Sequence, residues 1–162
     1  MVEVQKVDYQ DAQQGADLVA LLSAYACDPM GGGEDISEHV KLTLVKELAS
    51  RPYAFSVLAY VDGKPAGFAN CFEAFSTFAA QPLVNIHDLA VVPDYRGQQI
   101  SQLLLDEVEA IARKKGCCKI TLEVLSKNGP AKNAYQKFGF EAYQLQDGAG
   151  EALFWQKSLK EF

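Results

Sequence analysis

The sequence predicts an α+β fold in which a mixed, mostly antiparallel β-sheet carries helices on both faces. Two apolar runs, Tyr53–Val61 and Pro65–Phe75, flank Asp62-Gly63-Lys64, a turn sequence typical of a β-hairpin. Apolar residues at helical spacing occupy the chain before and after this hairpin. Strands joined by a tight turn run antiparallel, so the centre of the sheet is expected to be antiparallel.

The N-terminal part is predicted to form one strand and two helices. The segment Val2–Val7 alternates apolar and polar residues, as an edge strand does. Asp11–Ala26 and Ser37–Leu48 each place their leucines and valines on one side of a helix. Between them the run Asp28–Gly33, with one proline and three glycines, breaks the helix and favours a flexible loop.

The C-terminal part is predicted to alternate strands and helices. A strand ends at Val91, and the helix that follows carries three cations in its last turn before Gly116, which suits a helix end. Downstream, the pattern indicates a central strand over Lys119–Leu125, a short helix over Pro130–Phe138, a short strand near Glu141–Leu145 and a closing strand over Gly150–Leu159.

Length, charge and hydropathy narrow the functional classes. The 162 residues are expected to form one domain, residues 1–162. The net charge of −6 argues against nucleic acid as a partner, because phosphate binding needs clustered lysine and arginine. A cationic substrate is consistent with this negative charge, but the ordinary solubility of a globular protein explains it more simply. No apolar run could span a bilayer and the N-terminus does not resemble a signal peptide, so we expect a cytoplasmic protein with no membrane partner.

The four cysteines, Cys27, Cys71, Cys117 and Cys118, show no C-x-x-C spacing and have no histidine nearby in sequence. Cys117 and Cys118 are adjacent, so in a strand their side chains would point to opposite faces. We therefore expect no metal site and no redox pair, but reduced and buried thiols.

The stretch from His87 to Ser101 carries the strongest functional signal. It reads as a buried strand, a proline-bounded turn, a loop of small and polar residues, and the start of an amphipathic helix. The first N–H groups of a helix have no partner within the helix, and the helix dipole adds partial positive charge there. This order of elements therefore predicts a pyrophosphate site made mainly of backbone, with Arg96 adding a charged contact.

Two motifs in this part of the chain resemble one family. The pattern V-x-P-x-Y-R-G-x-x-I-x-x-x-L-L, from Val91 to Leu105, is similar to the acyl-CoA-binding motif of the GCN5-related N-acetyltransferases (GNAT). The pattern N-x-x-A-x-x-x-Y-x-x-x-G-F, from Asn128 to Phe140, resembles a second motif of that family. The resemblance covers the chain from about Tyr53 onward. It implies the GNAT fold with a bulged, splayed central strand pair, acetyl-CoA as co-substrate, and no metal.

The resemblance also implies the cofactor contacts. In the family, a bulge splays the strand before the phosphate loop from the next strand, and pantetheine enters the gap. Leu89, Ala90 and Val91 hold that position here, with the Leu89 N–H expected to donate to the acetyl oxygen. Asn128 lies near the pantetheine in the family, although capping of the helix that follows explains it equally well. The phosphate loop would comprise Arg96, Gly97, Gln98, Gln99, Ile100 and Ser101.

Gln99 departs from the family, which has glycine there so that phosphate oxygens can approach the backbone closely. Torsion angles at a helix N-terminus suit any L-residue, so we expect the Cβ of Gln99 to be tolerated. Ser101 stands where the motif has glycine or alanine, and its small hydroxyl side chain suits a phosphate contact. We therefore expect a working site, with Gln99 as the residue that would weaken it.

Tyr135 is the expected general acid, because it occupies the position from which the family protonates the departing CoA sulfur. A phenol, with a reference pKa of about 10, can donate to a thiolate whose parent thiol resembles cysteine at about 8.5. Packing against Phe138 and Phe140 is the alternative explanation for this tyrosine.

His87 is the expected general base. The pattern His-x-Leu-Ala-Val resembles the arylalkylamine N-acetyltransferases, in which a histidine here helps to take the amine proton, and histidine titrates near neutral pH. Strand alternation predicts that His87 shares a side with Asn85 and Leu89, whereas Asp88 faces the other way unless the bulge rotates it. A half-buried histidine bonded within the sheet is the alternative.

The acceptor is expected to lie near the loop between the first two helices. This loop is acidic and rich in glycine, which suits closure over a cationic amine, although a solvated surface loop explains it too. Further candidates come from the predicted hairpin, with core packing as the alternative. The candidates for acceptor contact are Met30, Glu34, Asp35, Glu38, Phe72, Glu73, Phe75 and Phe78.

These features predict an N-acetyltransferase that moves the acetyl group of acetyl-CoA to a primary amine of a small molecule, by direct attack in a ternary complex. No cysteine occupies a motif position, so no acyl-enzyme is expected. Two alternatives stay open: a CoA-binding sensor or interaction module without catalysis, and an acetyltransferase of protein or peptide amines. Dimers are common in the family, and a closing strand with Phe154 and Trp155 would offer a homodimer surface.

Overall fold

The computed structural model describes residues 1–143 and 148–160, and it shows an α+β fold built on a five-stranded sheet. The strands lie in the sheet in chain order: β1 (Val2–Lys6), β2 (Ala54–Val61), β3 (Lys64–Ser76), β4 (Gln81–Val91) and β5 (Ile120–Leu122). The first four pair antiparallel, and β5 pairs parallel with β4. The prediction of a mixed, mostly antiparallel sheet is therefore confirmed.

Helices cover both faces of the sheet, as predicted. They are α1 (Ala12–Cys27), α2 (Glu38–Ala49), α3 (Ile100–Lys114) and α4 (Gly129–Phe138), with 3-10 turns at Pro29–Gly31 and Pro93–Tyr95. One core includes Leu18, Leu48 and Phe68 on the side of α1 and α2. The other includes Leu104 and Val108 of α3. None of the helices in the described part of the chain is long and apolar enough to cross a bilayer.

Local sequence signals account for several element ends. The side chains of Asp11 and Ser37 cap the N-termini of α1 and α2 by accepting backbone N–H groups of the first turn. Asp62 and Gly63 both have positive φ, as the two-residue turn of the β2–β3 hairpin requires. Gly116, with φ of 73°, follows α3 as predicted.

A β-bulge in β4 is the feature of the sheet that shapes the site. Asn70 of β3 lies opposite Asp88, but the next residue, Cys71, lies opposite Ile86. His87 is therefore the extra residue on β4. Because the side-chain alternation restarts at this point, His87 and Asp88 no longer face opposite sides of the sheet.

Beyond the bulge, β4 separates from β5. The parallel pairing joins Val84–Ile86 to Ile120–Leu122, whereas β4 continues to Val91. The bulged and splayed strand pair predicted from the family resemblance is present, and along the last residues of β4 no strand of the described residues lies on the side of β5.

The strand predictions downstream of α3 are wrong where they fall on described residues. β5 is a three-residue strand at the edge of the described sheet, not a long central strand over residues 119–125. Residues 141–143 and 150–159 form no strand, and Leu145 lies outside the described residues. An apolar pattern becomes a strand only where a neighbour accepts its N–H groups, and no described strand lies beyond β5.

The prediction of buried thiols holds for only part of the set. Cys71 is buried and Cys117 is half-buried, whereas Cys27 and Cys118 are exposed, and all four are free thiols. Burial raises the pKa of the Cys71 thiol and, to a lesser degree, that of Cys117. These two thiols are therefore poor nucleophiles.

Candidate active site

A cleft of about 410 Å³ opens where β4 separates from β5, between the N-termini of α3 and α4. Most of the residues predicted for the site line it, and they come from four separate elements. They are Leu89, Ala90, Val91, Arg96, Gly97, Gln99, Ile100, Ser101, Asn128 and Tyr135. Gln98 and His87 were also predicted for the site, but neither is part of this lining.

Main-chain groups of β4 face the cleft. Val92 donates its N–H to Ala66 of β3, so alternation along an antiparallel strand turns the N–H and C=O groups of Val91 and Leu89 away from β3. Arg96 Nε donates to the Val91 carbonyl at 3.1 Å, in agreement with that direction. The Leu89 N–H therefore points toward the gap left by β5, where a thioester carbonyl could accept it.

The start of α3 supplies the second part of the cleft. Gly97 has a φ of 80°, a conformation that glycine adopts without strain. The side chain of Ile100 is buried in the core with 1% exposure, so this residue can meet a ligand only through its backbone. Ser101 is half-buried and lines the cleft. The unpaired N–H groups at this helix start suit a pyrophosphate.

Gln99 adopts backbone torsion angles at which a side chain is energetically costly. It is the N-cap of α3, with φ of 61° and ψ of 18° in the left-handed region, and its side chain makes no capping bond. The expectation that helical torsion angles apply here is wrong, because the N-cap residue lies outside the helix. A non-glycine residue in this region costs on the order of 1 kcal/mol. The family's glycine would avoid this strain.

Arg96 is engaged by groups of the protein itself. Besides the Val91 carbonyl, its Nη2 contacts the Asp28 carboxylate at 3.3 Å. Asp28 also accepts the backbone N–H of Met30 at 2.9 Å, and this bond, followed by the contact with Arg96, lowers the pKa of Asp28. The loop after α1 is thus tied to the phosphate loop, a link that the sequence pattern did not indicate.

Tyr135 projects from α4 into the cleft and is half-buried. Its ring also packs edge-on against Phe140, with ring centroids 5.9 Å apart, so the packing explanation and the cleft position hold together. Burial, and next the nearby Tyr25, raise the pKa of Tyr135 to about 12. The phenol is therefore protonated at every physiological pH.

Asn128 combines the two roles that the sequence left open. Its side chain accepts the backbone N–H of Ala131 at 3.3 Å and so caps α4. The same residue lines the cleft. Capping fixes the N-terminus of the helix that carries Tyr135.

His87 is exposed, and its ring lies edge-on to Phe72 with centroids 5.7 Å apart. The prediction that it shares a side with Leu89 is wrong, because Leu89 lies beyond the bulge and packs against the core under α3. Asp88 instead turns to the side of Asn70, whose Nδ2 donates to Asp88 Oδ2 at 3.1 Å. The bulge therefore rotates Asp88 out of the strand alternation, which is the exception that the sequence prediction allowed.

The candidate acceptor carboxylates are mostly engaged elsewhere. Glu73 lies 3.5 Å from Lys115, which follows α3, and so is paired on the opposite face of the sheet from His87. Asp35 and Glu38 both pair with Lys41, at 2.7 and 3.4 Å. These contacts neutralise much of the acidic loop.

The apolar candidates for acceptor contact also differ in where they lie relative to the cleft. Met30 lines the cleft, and Phe72 packs beside His87. Phe75 and Phe78 are 61% and 95% exposed, so they form no wall around the cleft. Of these four residues, Met30 alone is part of the described cleft lining, so fewer residues are placed for acceptor contact than the sequence predicted.

The residues present fit acetyl-CoA. The α3 N-terminus offers N–H groups for phosphate, the gap beside β4 offers main-chain groups that point away from β3 for pantetheine, and Tyr135 lies in the same cleft. In residues 1–143 and 148–160, no three histidine, cysteine or acidic side chains cluster as a metal site requires.

Known proteins share both the sequence pattern and the fold. The chain is 26% identical over 125 residues to the "putative ribosomal protein bS18-alanine N-acetyltransferase" of Bacillus subtilis (strain 168), covering 74% of this chain and 79% of that protein. It is 32% identical over 120 residues to the streptothricin acetyltransferase of Streptomyces lavendulae, covering 74% of this chain but only 57% of that protein.

A solved structure shares the architecture at lower identity. The aminoglycoside acetyltransferase from an uncultured soil metagenomic sample, solved in complex with sisomicin, superposes with a TM-score of 0.80 and 17% identity, over 98% of this chain and 97% of that one. A sequence model of the acetyltransferase (GNAT) family matches residues 18–140, about three-quarters of the chain. This chain therefore belongs to the GNAT family of acetyltransferases.

Proposed function

We propose that this protein is an acetyl-CoA-dependent N-acetyltransferase that acetylates a primary amine of a small molecule by direct attack in a ternary complex. The observation that carries the proposal is the cleft itself. It joins the outward main chain of β4, the N-terminus of α3 and the phenol of Tyr135 in one continuous space. These are the groups that bind a CoA thioester, polarise its carbonyl and protonate its sulfur.

The cofactor role follows from backbone geometry. The N–H groups from Gly97 to Ser101 would hold the pyrophosphate, and Arg96 would donate one of its remaining guanidinium N–H groups to a phosphate oxygen while it keeps its contact with Asp28. The edge of β4 at Leu89 and Val91 would pair with the pantetheine amides, as a further strand would. Acetyl-CoA is a co-substrate here, consumed in each turnover.

The transfer step assigns one proton to each of two side chains. The amine nitrogen forms a bond to the acetyl carbon as His87 takes a proton from it. The Leu89 N–H stabilises the negative charge that develops on the acetyl oxygen. The carbon–sulfur bond breaks, and Tyr135 gives its proton to the departing thiolate. Each group acts on a different atom, so the two substrates must be bound at the same time.

Two acceptor classes fit the family, and the cleft favours the smaller one. Tyr25 of α1 and Met30 in the loop after α1 close one wall of the cleft, and the Asp28–Arg96 contact holds this loop in place. A small amine can enter such a site directly, whereas a protein acceptor would first have to unfold the segment that carries its amine. Streptothricin acetyltransferase carries a small-molecule substrate in its name, whereas the Bacillus relative is named for a protein amine, so a protein acceptor is the second candidate.

A calorimetric titration with acetyl-CoA, followed by an amine panel with thiol release as the readout, tests the proposal. We expect micromolar binding, and turnover with at least one polyamine, arylalkylamine or aminoglycoside. Turnover with peptides but no small amine would support the second candidate. Binding without any turnover would support a CoA sensor, and absence of binding would overturn the cofactor assignment.

A further inference from the structure

A chain of side-chain hydrogen bonds crosses three strands of the sheet and ends on Asp88. The Tyr9 hydroxyl lies 2.8 Å from Ser56 Oγ, and Ser56 Oγ donates to Asn70 Oδ1 at 2.6 Å. Asn70 Nδ2 then donates to Asp88 Oδ2 at 3.1 Å. The chain connects the segment before α1 to β2, β3 and the bulge of β4.

The chemistry of these groups gives the chain one direction. A carboxylate only accepts, so the Asn70 amide must turn its NH₂ group to Asp88 and its oxygen to Ser56. Ser56 has one hydroxyl proton, which goes to that amide oxygen, so Tyr9 must donate to Ser56. Every donor therefore points toward Asp88, and such aligned bonds strengthen one another.

The chain lies in the interior of the protein. Ser56 is 0% exposed and Asn70 is 4% exposed, and these are the two buried polar residues of the described core. Burial raises the pKa of Tyr9, so its hydroxyl keeps the proton that it donates. Burying polar groups is less favourable than apolar packing unless each is satisfied, and here each one is. What the arrangement provides is a fixed position for the Asp88 carboxylate.

The other oxygen of Asp88 is available to a ligand. No donor within residues 1–143 and 148–160 pairs with Asp88 Oδ1, and no described cation forms a salt bridge with this residue. Asp88 is half-buried, on the same side of the sheet as His87. A half-buried carboxylate that is held at one oxygen and open at the other is suited to a cation.

The negative charge of Asp88 reaches the cleft. Tyr25 of α1 lines the cleft, and its pKa is raised by burial first and then by the charges of Asp88 and Asp28. Asp28 is already paired with Arg96. Cys71, a titratable group near Asp88, is a buried thiol without charge, because burial raises its pKa. Of the two carboxylates, Asp28 and Asp88, only Asp88 lacks a cation as partner within the described residues.

We propose that Asp88 binds the ammonium group of the acceptor, and that Tyr9, Ser56 and Asn70 are positioning residues that hold its carboxylate. The inference rests on the proposed function and narrows its substrate class to amines that arrive as cations. Asp88 would hold the ammonium nitrogen beside the exposed His87, which removes one proton and passes it to solvent. The neutral amine then binds Asp88 more weakly and attacks the thioester carbon, and His87 takes the second proton as the nitrogen–carbon bond forms.

The test compares an accepted amine with the alcohol of the same skeleton, each titrated into protein saturated with CoA at neutral pH. CoA carries no acetyl group, so no turnover occurs. We expect the wild type to bind the ammonium at least tenfold more tightly than the alcohol. Asp88→Asn is nearly isosteric and still accepts the Asn70 bond, and it should bind both ligands within about threefold of each other.

The positioning chain has a matched pair of variants. Tyr9→Phe removes only the outermost donor and should reduce the preference for the ammonium about threefold, in the same direction as Asp88→Asn. Tyr60→Phe is the control. It also removes a phenolic hydroxyl that donates to a carboxylate, that of Asp17 at 2.9 Å, but Tyr60 is not a member of the hydrogen-bond chain. Tyr60→Phe should change thermal stability but leave the preference for the ammonium unchanged.

The outcomes separate the two proposals. If the wild type acetylates no amine, the proposed function fails before any variant is made. If the wild type acetylates amines but Asp88→Asn keeps the full preference for the ammonium, the role of Asp88 is overturned and the proposed function stands. Equal effects of Tyr9→Phe and Tyr60→Phe would overturn the positioning role of the chain.

Discussion

The two sides of the cleft are built from different parts of the polypeptide. The proposed cofactor side consists mainly of main-chain groups, at the edge of β4 and at the start of α3. The proposed acceptor side consists of side chains: Met30 lines the cleft, and His87 and Asp88 lie at the bulge of β4. Main-chain positions follow from the order of the elements, whereas side-chain directions depend on where the sheet alternation is interrupted.

This difference explains which assignments survived. The main-chain residues Leu89 and Val91 face the cleft as expected, because the splay of β4 from β5 exposes them whatever their side chains are. On the acceptor side, one extra residue in β4 moved Leu89 to the opposite face and brought Asp88 beside His87. A bulge leaves backbone direction nearly unchanged but reverses the faces of all the side chains that follow.

The largest expected effect comes from Tyr135, the proposed general acid on the cofactor side. Tyr135→Phe should lower kcat about a hundredfold, because the departing thiolate loses its proton donor. Binding of acetyl-CoA should stay within about twofold, because the backbone contacts remain. Steady-state kinetics and calorimetry measure the two quantities separately. Tyr143→Phe, which alters an exposed phenol outside the cleft, is the control, and an unchanged kcat in Tyr135→Phe would remove the acid role.

The next effect tests the acceptor side. His87→Gln should lower kcat/KM for the amine on the order of tenfold to a hundredfold at neutral pH, because the amine then loses its proton without help. The loss should shrink as the pH approaches the pKa of the amine itself, where the free base needs no deprotonation. A pH profile from 6 to 10 shows this, and parallel profiles for wild type and variant would contradict the base assignment.

A smaller gain is expected from Gln99→Gly, which tests whether backbone geometry alone governs the cofactor side. Removing a Cβ at φ of 61° should raise stability by up to about 1 kcal/mol, or about 2–4 °C in Tm. Acetyl-CoA should bind a few-fold more tightly because phosphate oxygens approach the backbone more closely. Gln98→Gly is the matched control: its φ is not positive, so glycine there should leave Tm unchanged or lower it. A lower Tm in Gln99→Gly would show that the left-handed residue is not strained.

The smallest effect is an expected absence of change at alkaline pH. Burial raises the pKa of Tyr135 to about 12, so the acid form persists and kcat should show no alkaline fall below about pH 10. A raised pKa in the folded state favours the protonated phenol. Its contribution to stability is therefore complete below about pH 10 and is lost between about 10 and 12. A fall in kcat centred below pH 9, at constant folded fraction, would contradict the assignment.

Features that depend on residues close in sequence were predicted better than features that depend on distant contacts. The helix starts at Asp11 and Ser37 and the hairpin turn at Asp62-Gly63 depend on neighbours within a few residues, and they were predicted correctly. The left-handed torsion of Gln99 and the closing strands were not, because each depends on contacts that the pattern does not contain. A loop residue takes the torsion angles that close the turn between β4 and α3, and a strand needs an edge to join.

By itself, the sequence determined the family, the α+β architecture and most of the residues that line the proposed cofactor side of the cleft, since two motifs encode a strand, a turn and a helix start in order. The tertiary structure alone decided the acceptor side. It set the position of the bulge, the pairing of Glu73 and Asp35 with lysines, and the chain from Tyr9 to Asp88. The physical reason is that backbone groups are common to all residues and follow local structure. Side-chain partners come instead from segments up to 68 residues apart, which meet only in the folded chain.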